Sequence, residues 1–386
     1  MQLQPTWVAG AAETAALAGR ARRAGRVAID TEADSLHSYF HKVCLIQLSF
    51  GGTHALIDPL AVGRAGLAPV AELLGDPAVT KLFHGADYDL RVLDRDLGAR
   101  AVNVRDTQIA AQLLGLPQTG LASLLAAELD VTLDKGHQRA DWGQRPLPPE
   151  LIAYAAADTA YLEALEPRLA RKLAELGRLA WWEEECAALE AIHWEPPVGD
   201  ELAFEKVKGA GRLRGAARDR LAALHRWREE RAAAADTPPF RILRGEAMLL
   251  LAGEPPADLA ALAKVPGVGA GAARRIGAEL LRVIAAPPAA PERSPRARPV
   301  VDKEREARVK ELRAVRDAAA VELGLDAGVL APRAALEAVV DRRPADPDAL
   351  VDCLGRRWRA AALAPLLLPA VAAWQGGGTG GDAVAH

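Results

Sequence analysis

The stretch RVAIDTEADSLHSYFHKVCLIQLSF, residues 26–50, decides how the chain is read. Val27-Ala28-Ile29 is a short apolar run with strand propensity, and it ends in Asp30-Thr31-Glu32. Residues 42–50, KVCLIQLSF, form a second strand candidate, and Gly51-Gly52 makes a hairpin turn after it. In a strand, residues i and i+2 share a face, so Asp30 and Glu32 project together. Two adjacent carboxylates repel each other. They call either for full exposure to water or for a cation between them. Oxygen donors of this kind suit a hard divalent ion such as Mg²⁺ or Mn²⁺.

Working outward, residues 11–24 read as a short amphipathic helix closed by Gly25. A third strand, His54–Asp58, stops at Pro59, and a helix covers 66–75. Strands at Val79–Phe83 and Ala101–Val104 alternate with helices from Ala86 to Gly98 and from Thr107 to Leu114. Three antiparallel strands followed by alternating strands and helices predict an α/β domain with a mixed sheet flanked by helices. Residues 115–148 are loop-rich, with a helix at 120–128, and Pro148-Pro149 opens a long helix from Glu150.

Two further segments carry acidic groups. HGADYDL offers Asp87 and Asp89, and YAAADTAYL places Tyr154 and Asp158 at i and i+4, on one helical face. A phenol and a carboxylate on one otherwise apolar face suit a shared site better than packing. Asp87 and Asp106 stand at helix starts and read as N-caps.

The chain has 386 residues, enough for two or three domains, and ordinary globular composition with 26% charged residues. Charge is uneven. Residues 1–205 carry 18 Lys and Arg against 29 Asp and Glu, residues 206–286 carry 15 against 8, and residues 287–386 carry 15 against 14. An acidic block beside a basic one suggests metal chemistry in the first and polyanion binding in the second. No apolar run is long enough for a membrane helix, and MQLQPTWVAG has no signal-peptide pattern. Cys44, Cys186 and Cys353 lie far apart, which fits a reduced cytoplasm. No sustained heptad repeat calls for an obligate protein partner.

Residues 1–190 resemble the DEDD 3′→5′ exonuclease superfamily, in its ribonuclease D branch. The resemblance rests on DTE, HGADYDL and Y-x-x-x-D in that order, with DWGQRPLP before the third. It implies an RNase H-like fold and the Tyr subgroup of the superfamily. It further implies two divalent ions, Mg²⁺ or Mn²⁺: Asp30 would bridge both, Glu32 and Asp158 would hold one, and Asp89 the other. Tyr154 would orient the attacking water. The implied reaction is hydrolysis from RNA 3′ ends, releasing nucleoside 5′-monophosphates, with tRNA precursors as expected substrates. Candidate contacts to the RNA are His37, Tyr39 and His84 beside the first two motifs, and Lys135, Gln138, Trp142 and Arg145 before the third. Trp142 has a second reading, as a core plug. Trp181-Trp182 read as core or domain-interface packing.

Residues 212–286 resemble an HRDC domain, through LAALHRWREERAAAADTPPFRIL and DLAALAKVPGVG. Helices are expected at 214–233, 240–252, 256–264 and 270–285. Gly267 and Gly269 permit a tight turn into the last one, whose N-terminus and neighbours Arg274 and Arg275 are candidates to meet a phosphate. Residues 302–373 resemble a second, divergent HRDC-type domain, and their near-neutral charge points to packing against the nuclease. The expected division is an exonuclease domain at 1–205, an HRDC domain at 206–286, a Pro-rich linker at 287–301, the second helical domain at 302–373 and a disordered tail at 374–386. Two other functions fit some of these features: a 3′→5′ DNA exonuclease, and a catalytically silent nucleic-acid-binding protein.

Overall fold

The computed structural model describes residues 3–376, except 134, 135, 138, 197, 198 and 293–301. The tail from 377 and most of the Pro-rich linker lie outside the described residues.

The sheet has six strands: β1 (Thr6–Val8), β2 (Arg26–Ala33), β3 (Val43–Phe50), β4 (Thr53–Ile57), β5 (Thr80–Phe83) and β6 (Val104–Asp106), in spatial order β1-β4-β3-β2-β5-β6. β2, β3 and β4 are antiparallel neighbours, and β1, β5 and β6 join in parallel, so the mixed sheet expected from the sequence is present. β3 lies at the centre and every residue of it is buried, which is why VCLIQLSF is almost continuously apolar. Its two polar side chains have partners: Ser49 Oγ meets His54 Nδ1 at 2.9 Å and Thr159 Oγ1 at 2.7 Å, and Gln47 Nε2 reaches Asp30 at 3.4 Å.

Among the described residues, nine helices surround the sheet: α1 (Ala11–Ala24), α2 (Pro59–Gly66), α3 (Ala68–Leu74), α4 (Asp87–Leu97), α5 (Thr107–Leu113), α6 (Leu121–Leu129), α7 (Pro149–Ala160), α8 (Leu162–Glu175) and α9 (Leu179–Leu189). α4 ends at Gly98, whose φ of 69° suits glycine. The expected long helix from Glu150 is three pieces, α7 to α9. β1 and α2 were not expected. β1 is a three-residue edge strand, and α2 is kinked at Gly63. Asp58 caps α2 through the N–H groups of Leu60 and Ala61.

The first helical module comprises α10 (Gly215–Ala234), α11 (Pro239–Ile242), α12 (Gly245–Gly253), α13 (Leu259–Ala263) and α14 (Gly269–Ala285). The helix expected over 240–252 is broken at Leu243-Arg244, which are extended. The module has a core of its own around Leu221, Leu224, Trp227, Met248, Leu251 and Leu280.

The second module comprises α15 (Lys303–Leu323), α16 (Ala327–Leu330), α17 (Arg333–Arg342), α18 (Pro347–Leu354) and α19 (Arg357–Gly376). Its core is continuous with that of α5, α8 and α9. Trp181 of α9 stacks on Trp358 of α19, with ring centroids 4.7 Å apart. Trp182 is buried and donates its indole N–H to the Asp106 carbonyl. Glu184 accepts from the backbone N–H groups of Arg357 and Trp358, capping α19, and Glu185 takes the Trp358 indole N–H and the guanidiniums of Arg356 and Arg359. The second module thus packs on the nuclease as its charge led us to expect. None of the described helices is long and apolar enough to cross a membrane.

Candidate active site

β2 is the element that places the first two acids. Ala28 belongs to the core shared with α8, and two residues on, Asp30 and then Glu32 continue along the same face at the end of the strand. A register shift between Glu32 and Ala33 ends regular pairing with β3 there. α7 packs across β3, β4 and β2, and brings Asp158 to the same place. Carboxylate oxygens of Asp30, Glu32 and Asp158 lie within 4.8 Å of one another. Asp89, in the first turn of α4, is buried beside them and accepts a 2.5 Å hydrogen bond from Thr31 Oγ1. All four acids and Tyr154 line one cavity of about 470 Å³.

The electrostatics of this cluster are unfavourable without a counter-charge. Burial, then the Asp158 charge, pushes the Asp30 carboxyl up to about 8. Burial and the charges of Asp30, Asp158 and Asp89 push Glu32 up to about 10. Asp158 rises to about 7 through burial and Asp89. Asp89 is also held well above the ordinary carboxylate range by burial and Asp30, against the Thr31 hydrogen bonds. Four half-buried or buried carboxylates ionise together only when cations neutralise them. An all-oxygen donor set of this charge fits hard divalent ions.

The Tyr154 ring, one turn before Asp158, meets the His137 ring edge-on at 5.7 Å and the Trp142 ring at 6.1 Å. Asp106 is the α5 cap expected from the sequence: its carboxylate accepts from the N–H groups of Gln108 and Ile109, and also of Gly85 and Ala86. Asp87 is not a cap. It is the first residue of α4 and pairs with Arg91 one turn on.

The candidate substrate residues separate. His84 lines the cavity, with Nδ1 2.9 Å from Thr107 Oγ1. Trp142 is 1% exposed and packs with Cys44, Leu56, Leu147 and Leu151, so it plugs the core and offers no face to a base. Arg145 is no phosphate contact either. It forms a two-pronged pair with Asp58 at 2.7 and 2.8 Å and donates to the carbonyls of Cys44, Trp142 and Gln144, which commits its donors within the protein. His37 and Tyr39 lie on the β2–β3 loop and face the first helical module: Nδ1 of His37 accepts from Arg241, and the Tyr39 hydroxyl bonds Glu229. Lys135 and Gln138 lie outside the described residues. In the first module, Gly267 and Gly269 both adopt positive φ, 85° and 71°, at the turn into α14, and Arg274 and Arg275 are exposed on that helix.

Sequence reasoning missed Thr31, Tyr88, Gln108 and Ser123, all of which line the cavity. Thr31 sat between the two acids and Tyr88 inside HGADYDL, so both were within quoted motifs. Gln108 and Ser123 carried no signal beyond following a helix start.

Residues 5–174 match the family model of the 3′-5′ exonuclease domain, and residues 217–284 and 305–370 match the HRDC domain. Ribonuclease D of Granulibacter bethesdensis is 37% identical over 285 residues, which is 73% of this chain and 71% of that protein. The chain belongs to the ribonuclease D family. Ribonuclease D of Xanthomonas oryzae pv. oryzae is 34% identical and the match covers 91% of this chain and 94% of that one. Among solved structures, Escherichia coli RNase D, an exoribonuclease involved in structured RNA processing, superposes with a TM-score of 0.68 at 26% identity, over 96% of this chain and all of that one. The catalytic core of RRP6 from Trypanosoma brucei gives 0.67 at 29% identity, covering 73% and 80%. Like other ribonuclease D enzymes, this one is a 3′→5′ exoribonuclease, its fold is the exonuclease domain followed by helical HRDC domains, and the acidic cluster fits the divalent-metal use of its family.

Proposed function

We propose that this ribonuclease D hydrolyses phosphodiester bonds one at a time from RNA 3′ ends by a two-ion mechanism, releasing nucleoside 5′-monophosphates, and that tRNA precursors are among its substrates in the cytoplasm. The observation that carries the reading is the cluster itself: three carboxylates with oxygens within 4.8 Å of one another, a fourth buried beside them, and a phenol one turn away. Asp30, Glu32, Asp89 and Asp158 hold two divalent ions, Mg²⁺ or Mn²⁺. Bound there, the ions supply charge neutralisation at the phosphate and lower the pKa of water. Tyr154 orients the attacking water by hydrogen bonding, and the cavity wall at His84 receives the terminal nucleotide. Water oxygen bonds to phosphorus, the bond to the 3′ oxygen breaks, and that oxygen leaves with a proton as the new 3′ hydroxyl. The exonuclease domain is assigned to 1–205 and the helical domains to 206–286 and 302–373. The excess of basic residues over 206–286, with Arg274 and Arg275 exposed at the start of α14, supports an RNA-holding role for the first of these.

The test is a 5′-labelled tRNA precursor with a short 3′ extension and a DNA strand of similar length, each with Mg²⁺, Mn²⁺ or chelator. Metal-dependent stepwise shortening of the RNA is expected, with Asp30→Asn reducing it by about 10³-fold or more while RNA binding persists. Shortening of DNA alone, or equal loss of binding in Asp30→Asn, would overturn the reading.

A further inference from the structure

Three of the four acids reach the cavity from one layer. Asp30 and Glu32 share a face of β2, and α7, which carries Asp158, packs on that face through Leu151 and Ala155 against Leu45, the cross-strand neighbour of Glu32. Asp89 comes from the other layer. α4 packs through Leu90 and Leu93 into the core that holds Val27 and Ile29, on the face of β2 that Thr31 shares. Thr31 is where Asp89 meets the strand. Its Oγ1 donates to Asp89 Oδ1 at 2.5 Å, and the two residues are 7% and 6% exposed. Among the described residues β2 pairs with β5 only over residues 26–28, so past that point its backbone has no strand on this side. The Thr31 N–H turns to carboxylates instead and hydrogen-bonds those of both Asp30 and Asp89. Glu32 and Asp158 are treated differently: burial and like charge bear on them, with no hydrogen bond from Thr31. Thr31 thus ties together one pair of the four acids.

We propose that Thr31 is a positioning residue that orients Asp89 toward Asp30 for one of the two ions and leaves the site of the other alone. The inference rests on the two-ion reading above. A hydroxyl that donates to a carboxylate favours its ionised form, which is the form that takes a cation. Threonine is stiff at χ1, so the strand presets the donor before any ion arrives. Outer partners that orient a metal-binding group are worth about 10–100-fold in metal affinity or activity.

The experiment follows Mn²⁺ binding to the metal-free full chain by calorimetry, with saturating nucleoside 5′-monophosphate, the product of the proposed reaction, filling the cavity. The native chain should take up two ions. Thr31→Val keeps the branched shape and loses the hydroxyl. It should weaken one affinity by about 10–100-fold and leave the other within about twofold. Thr31→Ala removes the hydroxyl without setting a methyl against Asp89, and should show the same selective loss. Melting curves of the metal-free variants verify that each is folded. Thr31→Ser keeps the donor and should bind both ions within about threefold of native. In an Asp89→Asn background, Thr31→Val should weaken metal binding no further. Excess Mn²⁺ should return kcat of Thr31→Ala on a trinucleotide RNA to within about threefold of native, which it would not do for a general structural loss. Equal weakening of both ions, unchanged affinities in Thr31→Ala, or Thr31→Ser as weak as Thr31→Ala would overturn the role of Thr31 and leave the two-ion reading standing. Uptake of a single ion by the native chain would overturn that reading, and the proposal with it.

Discussion

Two helical modules that match the same family model meet the nuclease in opposite ways. The second shares a core with it: Trp358 stacks on Trp181, Glu184 and Glu185 cap and pair α19, and Arg178 donates to carbonyls on both sides, those of Leu113 and Leu323. The first keeps its own core and meets the β2–β3 loop through Asp236, Arg241 and Glu229. Apolar burial is strong and indifferent to direction, whereas a few hydrogen bonds at an exposed seam are individually worth about 1 kcal/mol and hold orientation. The same module type therefore shares the nuclease core in one copy and keeps a core of its own, joined by polar contacts, in the other.

The largest expected effect is at the shared core. Trp358→Ala removes a 4%-exposed side chain, its stack on Trp181 and its bond to Glu185, and should destabilise the nuclease and second module together by about 3–5 kcal/mol. Asp236→Gly removes only the bonds to Tyr39 and Phe40 and should cost about 1 kcal/mol or less. Denaturant melts of both variants check this. Equal effects would erase the distinction between the modules. Gly115→Ala probes the same interface at its tightest point: at φ of 73° its Cβ would lie 1.8 Å from the Gly324 carbonyl oxygen, so the backbones must part, at about 2–4 kcal/mol.

A second effect marks which parts unfold with the active site. The folded-state values of Asp30, Asp158 and Glu32 are raised, to about 8, 7 and 10. Groups raised on folding contribute stability that is full below their unfolded values near 4 and is lost as pH climbs through the folded ones. The metal-free protein should therefore lose stability from pH 6 to pH 9. Mg²⁺ or Mn²⁺, which binds the ionised carboxylates, should restore more at pH 9 than at pH 6. Calorimetry resolves the comparison further. The transition that moves with pH and metal should include the second module, and the first module's own unfolding should stay in place.

What the sequence made legible follows from period. Asp30 and Glu32 two apart on a strand, and Tyr154 and Asp158 four apart on a helix, declare a shared face from local spacing alone. Trp142 and Arg145 sit in an irregular segment where no period applies, and a polar, aromatic composition suits an RNA clamp and a core plug equally. Their deciding partners, Cys44, Leu56 and Asp58, lie far upstream in the chain. The contact of His37 with the first module was illegible for the same reason, since Arg241 is remote from it in sequence. β1 is too short to show alternation, and it exists because β4 offers a free parallel edge. The packing of the second module was legible only through its charge balance.

The smallest effect tests where RNA is held. Arg274 and Arg275 are exposed on α14, where no ion pair among the described residues holds them. Arginines of the second module are engaged: Arg333 lies beside Glu337 and Glu306, and Arg305 beside Asp341. A free guanidinium on a phosphate releases a counterion, whereas one already paired exchanges one carboxylate for another and gains little. Arg274→Ala and Arg275→Ala should each lower the slope of log affinity against log salt for long RNA by about 1. Arg333→Ala should leave that slope unchanged, and all three should cleave a trinucleotide at the native rate. If Arg333→Ala lowered the slope as much as Arg274→Ala, the second module would also be gripping RNA. The contrast between a structural copy and a working one would then fail on function, even where it held on stability.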